Sequence, residues 1–289
     1  MDAPRTHALR HDSPLGHWEL VLREPVLRLR PYVRGWYEGF VESGASFSRR
    51  LEVPFPGVVL IVNLGSPWGL VDRLDAGAPV TRRDSFVAGL HDRYSIVESG
   101  GASWCVQVNL TPLGARRLFG VPMHELANRT TELEDLLGAA APRVAAQLRE
   151  APSWEARFSR LESLLAARIA AGPTASAGVA WAWEKLAEQD GLVAIGALAG
   201  ELGWSRKRLI AEFRAELGLP PKTLARVLRF QRVFQGLDGA GATRWAEIAH
   251  ACGYYDQAHF NRDFREFAGT TPSEFLRRRL PDGGGVSGD

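Results

Sequence analysis

The segment "GYYDQAHFNRDFREFAGTTPSEFLRRR", Gly253 to Arg279, sets Phe260, Phe264 and Phe267 at steps of four and three residues among basic side chains, then closes on Gly269-Thr-Thr-Pro272. Steps of three and four place side chains on one face of an α-helix. The stretch therefore predicts a short helix with one buried face, stopped by a glycine just past its end and followed by a helix that starts on proline. An earlier stretch has the same layout. Ile195, Leu198, Ala199 and Leu202 form an i, i+3, i+4, i+7 stripe ahead of Gly203-Trp204-Ser205; Trp245, Ile248, Ala249 and Cys252 repeat it ahead of Gly253-Tyr254-Tyr255, every pair 50 residues apart. Beyond the glycines Leu209 pairs with Phe260, Phe213 with Phe264, Gly218 with Gly269, Pro221 with Pro272 and Leu224 with Phe275, now 51 residues apart. One residue has entered the second turn.

A short amphipathic helix, a glycine-led turn and a second amphipathic helix make a helix-turn-helix, because glycine lets the backbone reverse without steric cost. Two copies make a tandem. The phenylalanine stripe then holds the second helix against its own unit and leaves the opposite face free. Between Trp204 and Arg279 there are 14 Lys and Arg against 8 Asp and Glu, although the whole chain carries a formal net charge of only +2. Such a local excess suits either a solvated face or a polyanionic partner. Its repetition in or beside both second helices favours double-stranded DNA over a plain helical repeat.

In the first unit "SRKRLIAEF" turns Leu209 and Phe213 inward, which puts Arg206, Lys207 and Ala211 outward, with Arg208 beside them. In the second, Gln257, Ala258, Asn261 and Arg262 lie away from Phe260 and Phe264, with His259 at the edge. Gln257 and Arg262 are the best base-edge candidates, since amide and guanidinium forks match adenine and guanine edges. Phosphate contact is the competing role for each. Adjacent major-groove openings on one face lie ~34 Å apart, so a rigid helix must separate the units. "PPKTLARVLRFQRVFQGL" supplies one. Leu224, Val227, Leu228, Gln231 and Phe234 trace its mostly apolar stripe, while Arg226, Arg229 and Arg232 leave it as phosphate candidates.

These residues resemble the AraC/XylS transcriptional regulators. "GYYDQAHFNRDFREFAGTTPSEFLR" is similar to that family's C-terminal signature, and "LAGELGWSRKRLIAEFRAELGLPPKTLARVLRFQRV" is similar to its first motif joined to the connecting helix. The resemblance spans about Leu192 to Arg279. It implies a seven-helix domain whose two recognition helices enter successive major-groove segments, and it puts Lys207, Ile210 and Ala211 on the groove side. Ile210 and Ala211 offer apolar contact there, for example to a thymine methyl. Alkyl-transfer members of the family carry a cysteine cluster; Cys105 and Cys252 stand far apart inside apolar patterns and read as buried thiols.

The chain of 289 residues, 45% hydrophobic and 24% charged, is long enough for two domains. It has no apolar run near the ~20 residues that span a bilayer. The N-terminal "MDAPRTHALRHDSPLGHW" lacks the apolar core of a secretory signal, so a cytoplasmic location is expected, nucleoid-associated when DNA is bound. From Val26 to Thr111 come short β-prone runs, "VLRLRPYV", "RRLEVPF", "GVVLIVNL", "WGLVD", "SFVAGL", "YSIVE" and "WCVQVNLT", parted by turn residues, as in an antiparallel sandwich or barrel. After Pro112 the texture turns helical. In "SWEARFSRLESLLAARIA" Phe158, Leu161, Leu165 and Ile169 form a stripe that Ser153 is placed to cap; it faces either the chain's own core or a dimer seam. "AGPTASAG" reads as a linker.

The expected fold class is thus α+β in two domains. Residues 1–171 form an antiparallel β-barrel, cupin-like domain with trailing helices, 172–178 a linker, 179–280 an all-α tandem helix-turn-helix domain, and 281–289 a flexible tail. "RPYVRGWYEG", "VNLTPLGARRLFGVP" and "ELANRTTELEDLLG" resemble the cupin-like sensing half of a subgroup of such regulators, which implies effector binding or dimerisation. The expected partners are double-stranded DNA, RNA polymerase, a small-molecule effector and a second copy of the chain, with no membrane. No cofactor, metal or catalytic residue is expected. Histidines 7, 11, 17, 91, 124, 250 and 259 form no H-x-H, and His91 in "GLHDRYS" reads as a loop residue. The rival readings are a cupin-type enzyme with a helical appendage, which requires metal and turnover, and a non-specific architectural DNA binder. Trp36, Trp68 and Trp104 either line an apolar site or fill the core.

Overall fold

The computed structural model describes every residue except 1–4, 14–15, 44–47, 72–78, 101, 238–244, 280–285 and 289. The N-terminal half opens with a hairpin absent from the sequence expectation, β1 (Thr6–Ser13) and β2 (Gly16–Arg23), followed by β3 (Val33–Ser43). "VLRLRPYV" is not a strand until Val33: Leu27–Leu29 form a 3₁₀ turn. Pro25 and Pro31 bracket it, and neither has an N–H to give a ladder. The remaining strands are β4 (Ser48–Glu52), β5 (Val58–Asn63), β6 (Trp68–Val71), β7 (Thr81–Arg83), β8 (Phe86–Ala88), β9 (Ser95–Ser99), β10 (Ser103–Leu110) and β11 (Thr130–Glu132). β11 lies in the region read as helical.

The expected barrel takes the form of two antiparallel sheets that do not close on each other among the described residues. The larger runs β1-β2-β3-β10-β5-β8-β11 and the smaller β4-β9-β6-β7. Side chains alternate across a strand, and the larger sheet uses both faces. Tyr37, Val58, Leu60, Val62, Val106, Val108 and Leu110 face one apolar core together with the helices. Glu38, Phe40, Val59, Ile61, Cys105, Gln107 and Asn109, one step out of phase, line a cavity on the other face.

Four helices cover the first face: α1 (Pro112–Phe119), α2 (Leu133–Leu137), α3 (Ala140–Arg149) and α4 (Trp154–Ala171). The Ser153 side chain accepts from Ala156 N at the start of α4, and Phe158, Leu161, Leu165 and Ile169 are buried within the chain. The stripe is intramolecular core. Glu162 of α4 is buried and anchors the end of β2: it accepts from Arg23 Nη2 and from Val26 N, each at 3.1 Å.

Seven helices follow among the described residues: α5 (Ala177–Glu188), α6 (Ile195–Glu201), α7 (Arg206–Leu217), α8 (Pro221–Leu237), α9 (Trp245–Ala251), α10 (Gln257–Ala268) and α11 (Pro272–Arg277). α6–α7 and α9–α10 are the two repeated units. The N-terminal half packs on both. Leu209, Phe213 and Leu217 share a core with Leu118, Phe119 and Met123, and Phe230, Phe260, Phe264 and Phe267 share a second with Leu51, Val71 and Ile96 of the smaller sheet. Gln231 Nε2 of α8 donates to Pro54 O at 2.7 Å. Of the expected flexible tail, 286–288 instead lie against β4: Val286 is buried, Leu51 N donates to Val286 O at 2.8 Å and Gly288 N to Arg49 O at 2.9 Å. The rest of 281–289 lies outside the described residues.

Candidate nucleic-acid interface and an internal cavity

Both second helices begin on a side-chain cap. The Ser205 side chain accepts from Arg208 N, and the Asp256 side chain, 51 residues on, accepts from His259 N. The added residue of the second turn is therefore Tyr255, which is 92% exposed, while Tyr254 takes the place of Trp204 and is buried against Phe260. Gly203 and Gly253 have φ of +64° and +76°, the left-handed region that favours glycine.

The cap register fixes which side chains leave the protein. On α7, Arg206, Lys207, Arg208, Ile210 and Ala211 are exposed while Leu209 and Phe213 are fully buried. On α10, Gln257, Ala258 and Arg262 are exposed, His259 and Asn261 are half-buried, and Phe260, Phe264 and Phe267 are fully buried. Arg208 stacks its guanidinium 4.3 Å from the Trp204 ring centre, and His259 sits edge-on to Tyr254. Both are held to their turns. One turn beyond the expected residues, Arg214 and Arg265 are exposed and again 51 residues apart. Lys207, Ile210, Ala211 and Arg214 thus correspond to Ala258, Asn261, Arg262 and Arg265. Extending the i+3, i+4 series by a turn finds these two arginines from sequence; Tyr255 follows once the inserted residue is placed before the cap.

The arginines of α8 have other work. Arg226 donates to Asp263 through Nε at 3.2 Å and Nη2 at 2.8 Å and to Glu266 through Nη1 at 3.1 Å. Its charge is held on by Glu266 and Asp263 against the cost of partial burial. Arg229 Nη1 donates to Gly191 O at 2.7 Å, and Arg232 lies 3.6 Å from Asp190. These are the three phosphate candidates of the sequence spacing. Buried acceptors and a nearby carboxylate claim them, because a guanidinium fork pairs with a carboxylate or carbonyl already in reach.

The second feature is a cavity of about 470 Å³ between the two sheets. Phe40, Ile61, Leu70, Phe86 and Trp68 form its apolar walls, and Glu38, Glu52, Gln107 and Asn109 its polar floor. Gln107 Nε2 donates to Asn109 Oδ1 at 3.0 Å and Asn109 Nδ2 to Glu38 Oε1 at 2.9 Å. Desolvation raises the carboxyls of Glu38 and Glu52 above the usual carboxylate range; Asn109 works against it at Glu38, and at Glu52 Arg50 works against it while Glu38 adds to it. Burial also pushes the Cys105 thiol up to about 12. His91 is a loop residue on the cavity rim, and Gln231 of α8 reaches the lining from the other half. Of the three tryptophans, Trp68 lines the cavity, Trp104 packs under the Arg157 guanidinium at 5.2 Å and Trp36 stands 5.4 Å from the His7 ring.

Two helix-turn-helix units with corresponding exposed faces, both packed on a β-rich half, define the class as a tandem helix-turn-helix protein. Comparison with known proteins agrees: residues 198–278 match the family described as "Helix-turn-helix domain", and residues 23–132 match "Domain of unknown function (DUF6597)". Solved structures similar to this chain include ToxT from Vibrio cholerae O395, at 14% identity over 80% of this chain and 97% of that one with a TM-score of 0.45. The AraC-like transcriptional activator CuxR is 15% identical over 80% and 86% with a TM-score of 0.32, and the transcriptional regulator CdpR from Pseudomonas aeruginosa is 15% identical over 93% and 71% with a TM-score of 0.28. No curated protein matches the chain. No helix among the described residues is long and apolar enough to cross a membrane.

Proposed function

We propose that the chain is a sequence-specific transcriptional regulator that lays α7 and α10 into two successive major-groove segments. The observation that carries this is the correspondence of the two exposed faces, Lys207-Ile210-Ala211-Arg214 and Ala258-Asn261-Arg262-Arg265, each bordered by a buried apolar stripe. In this reading Gln257 and Arg262 read base edges, Ile210 and Ala211 make apolar contact, and Arg206, Lys207, Arg214 and Arg265 meet phosphates. Residues 1–171 form the sensing half, 172–178 the connection and 179–280 the DNA-binding half. The cavity between the sheets takes a small effector, a second copy joins through the N-terminal half, and RNA polymerase is the downstream partner. The chain carries out no catalysis of its own.

Selection of duplexes from a random pool by the full-length protein tests the reading. It expects two conserved boxes one helical turn apart, with binding that falls as salt rises. Equal affinity for all duplexes after salt correction would overturn sequence-specific reading and leave an architectural DNA binder in its place.

A further inference from the structure

We infer that the outer edge of β1 is a self-pairing surface: two copies of the chain join antiparallel through β1, about a two-fold axis at Leu9. The inference rests on the reading above that a second copy joins through the N-terminal half, and it names the strand that carries the contact. An end strand offers unpaired N–H and C=O groups to any passing chain, and proteins shorten or cover such strands. Three of the four sheet edges here are treated in that way. β11 and β7, which end the two sheets, have three residues each. The outer side of β4 is covered by 286–288, through Leu51 N to Val286 O and Gly288 N to Arg49 O. β1 differs: it has eight residues, no proline and no register shift, and among the described residues no strand pairs with its outer side.

The direction of the backbone groups fixes the pairing. Glu24 N donates to Arg5 O at 3.0 Å, so Arg5 and, at steps of two, His7, Leu9 and His11 turn their N–H and C=O toward β2. Thr6, Ala8, Arg10 and Asp12 turn theirs to the open side. A two-fold axis at Leu9 sets Thr6 against Asp12 of the partner subunit and Ala8 against the partner's Arg10, so all four residues of each copy bond, in four pairs of two bonds, about eight in all. An axis at Ala8 or at Arg10 leaves Asp12 or Thr6 with no strand residue opposite, and the one at Arg10 also sets like charges face to face. The Leu9 register continues an apolar row as well. Phe40, Leu20 and Leu9 stand side by side on one face of the larger sheet, and the row stops at Leu9, which is 51% exposed. In the pair Leu9 meets its own copy, flanked by His7 against the partner's His11. The charges of β1 leave the edge clear, because Arg10 Nε donates to Glu19 Oε1 at 2.7 Å and Asp12 pairs with His17, both on β2.

Analytical ultracentrifugation of the full chain, without DNA and over a concentration series, tests this and is expected to show a monomer–dimer equilibrium. Ala8→Pro removes an outward N–H that the β1–β2 ladder does not use. The variant should keep its circular dichroism spectrum while its dimer is weakened about tenfold or more, one bond being lost from each copy. Register is read separately. Across a pair that shares no hydrogen bonds the Cα atoms stand ~4.5 Å apart, within disulfide reach, so Leu9→Cys is expected to cross-link to its own copy under copper–phenanthroline oxidation and Ala8→Cys is not. A dimer that withstands Ala8→Pro, or one that cross-links through Ala8→Cys in place of Leu9→Cys, would overturn the β1 pairing and leave the second-copy reading standing. A monomer at every concentration would overturn both, and neither result touches DNA reading, which the duplex selection measures separately.

Discussion

At the residue scale, the proposed function makes α7 and α10 unequal readers. α7 offers Ile210 and Ala211 where α10 offers Asn261 and Arg262, so on that reading hydrogen-bonded discrimination would be concentrated in the second unit. Arg262→Ala is expected to weaken site-specific binding by ~1–3 kcal/mol and relax preference at one base pair, measured by repeating the duplex selection with the variant. Arg265→Ala should instead weaken binding to all sequences alike and lower the salt slope by about one, read from affinity across a salt series. The thiols give a separate check on packing. Cys105 and Cys252 are buried and their ionisation is pushed to higher pH by desolvation, Cys105 to about 12. Native protein should therefore resist iodoacetamide at pH 8, while denatured protein alkylates at both sites, as counted by mass spectrometry.

At the element scale, the placement of α10 depends on α8 through Arg226. Asp263 is 3% exposed and accepts two hydrogen bonds from that guanidinium. Arg226→Ala leaves the Asp263 carboxylate buried without its partner. The expected loss is about 2–3 kcal/mol, below the range for a fully buried pair because the Glu266 side of the network is open to water. Chemical denaturation measures it, and Arg226→Lys should recover part. This network also shows what a sequence could and could not reveal. The apolar stripes, the cap at Ser153 and the 50- and 51-residue offsets are local properties, legible in the sequence; the matching caps at Ser205 and Asp256 come from the structure. The pairing of Arg226 with residues 37 and 40 positions away is set by how helices cross, and periodicity is silent on that. The same limit hid β11, whose partner β8 is distant in sequence, whereas β1 and β2 pair locally and were hidden by composition, since "THALRHDS" and "GHWELVLR" have few β-branched residues. It hid the cavity too: Glu38, Gln107 and Asn109 look like ordinary outward polar residues until the smaller sheet is laid over them.

On the scale of the whole molecule, the DNA-reading half does not stand apart. Glu216 of α7, buried, accepts from Ser176 N at 2.8 Å and lies 3.5 Å from Arg116 Nε of α1, so it ties the first unit to the connection and to the β-rich half. Glu216→Ala should loosen that junction, and limited proteolysis should cut faster near residues 172–176 than in the parent while α7 keeps its helical content. A Cβ at Gly269 would stand 2.2 Å from the Tyr94 ring, which marks how closely the second unit is seated on the same half. Bracing of both units against one body makes the protein a ruler of fixed length. Operators with a base pair inserted between the two boxes turn the second box by about 34–36° around the duplex axis. A reader held at two ends has no slack to follow that turn, so it must let go of one box or bend the DNA to keep both.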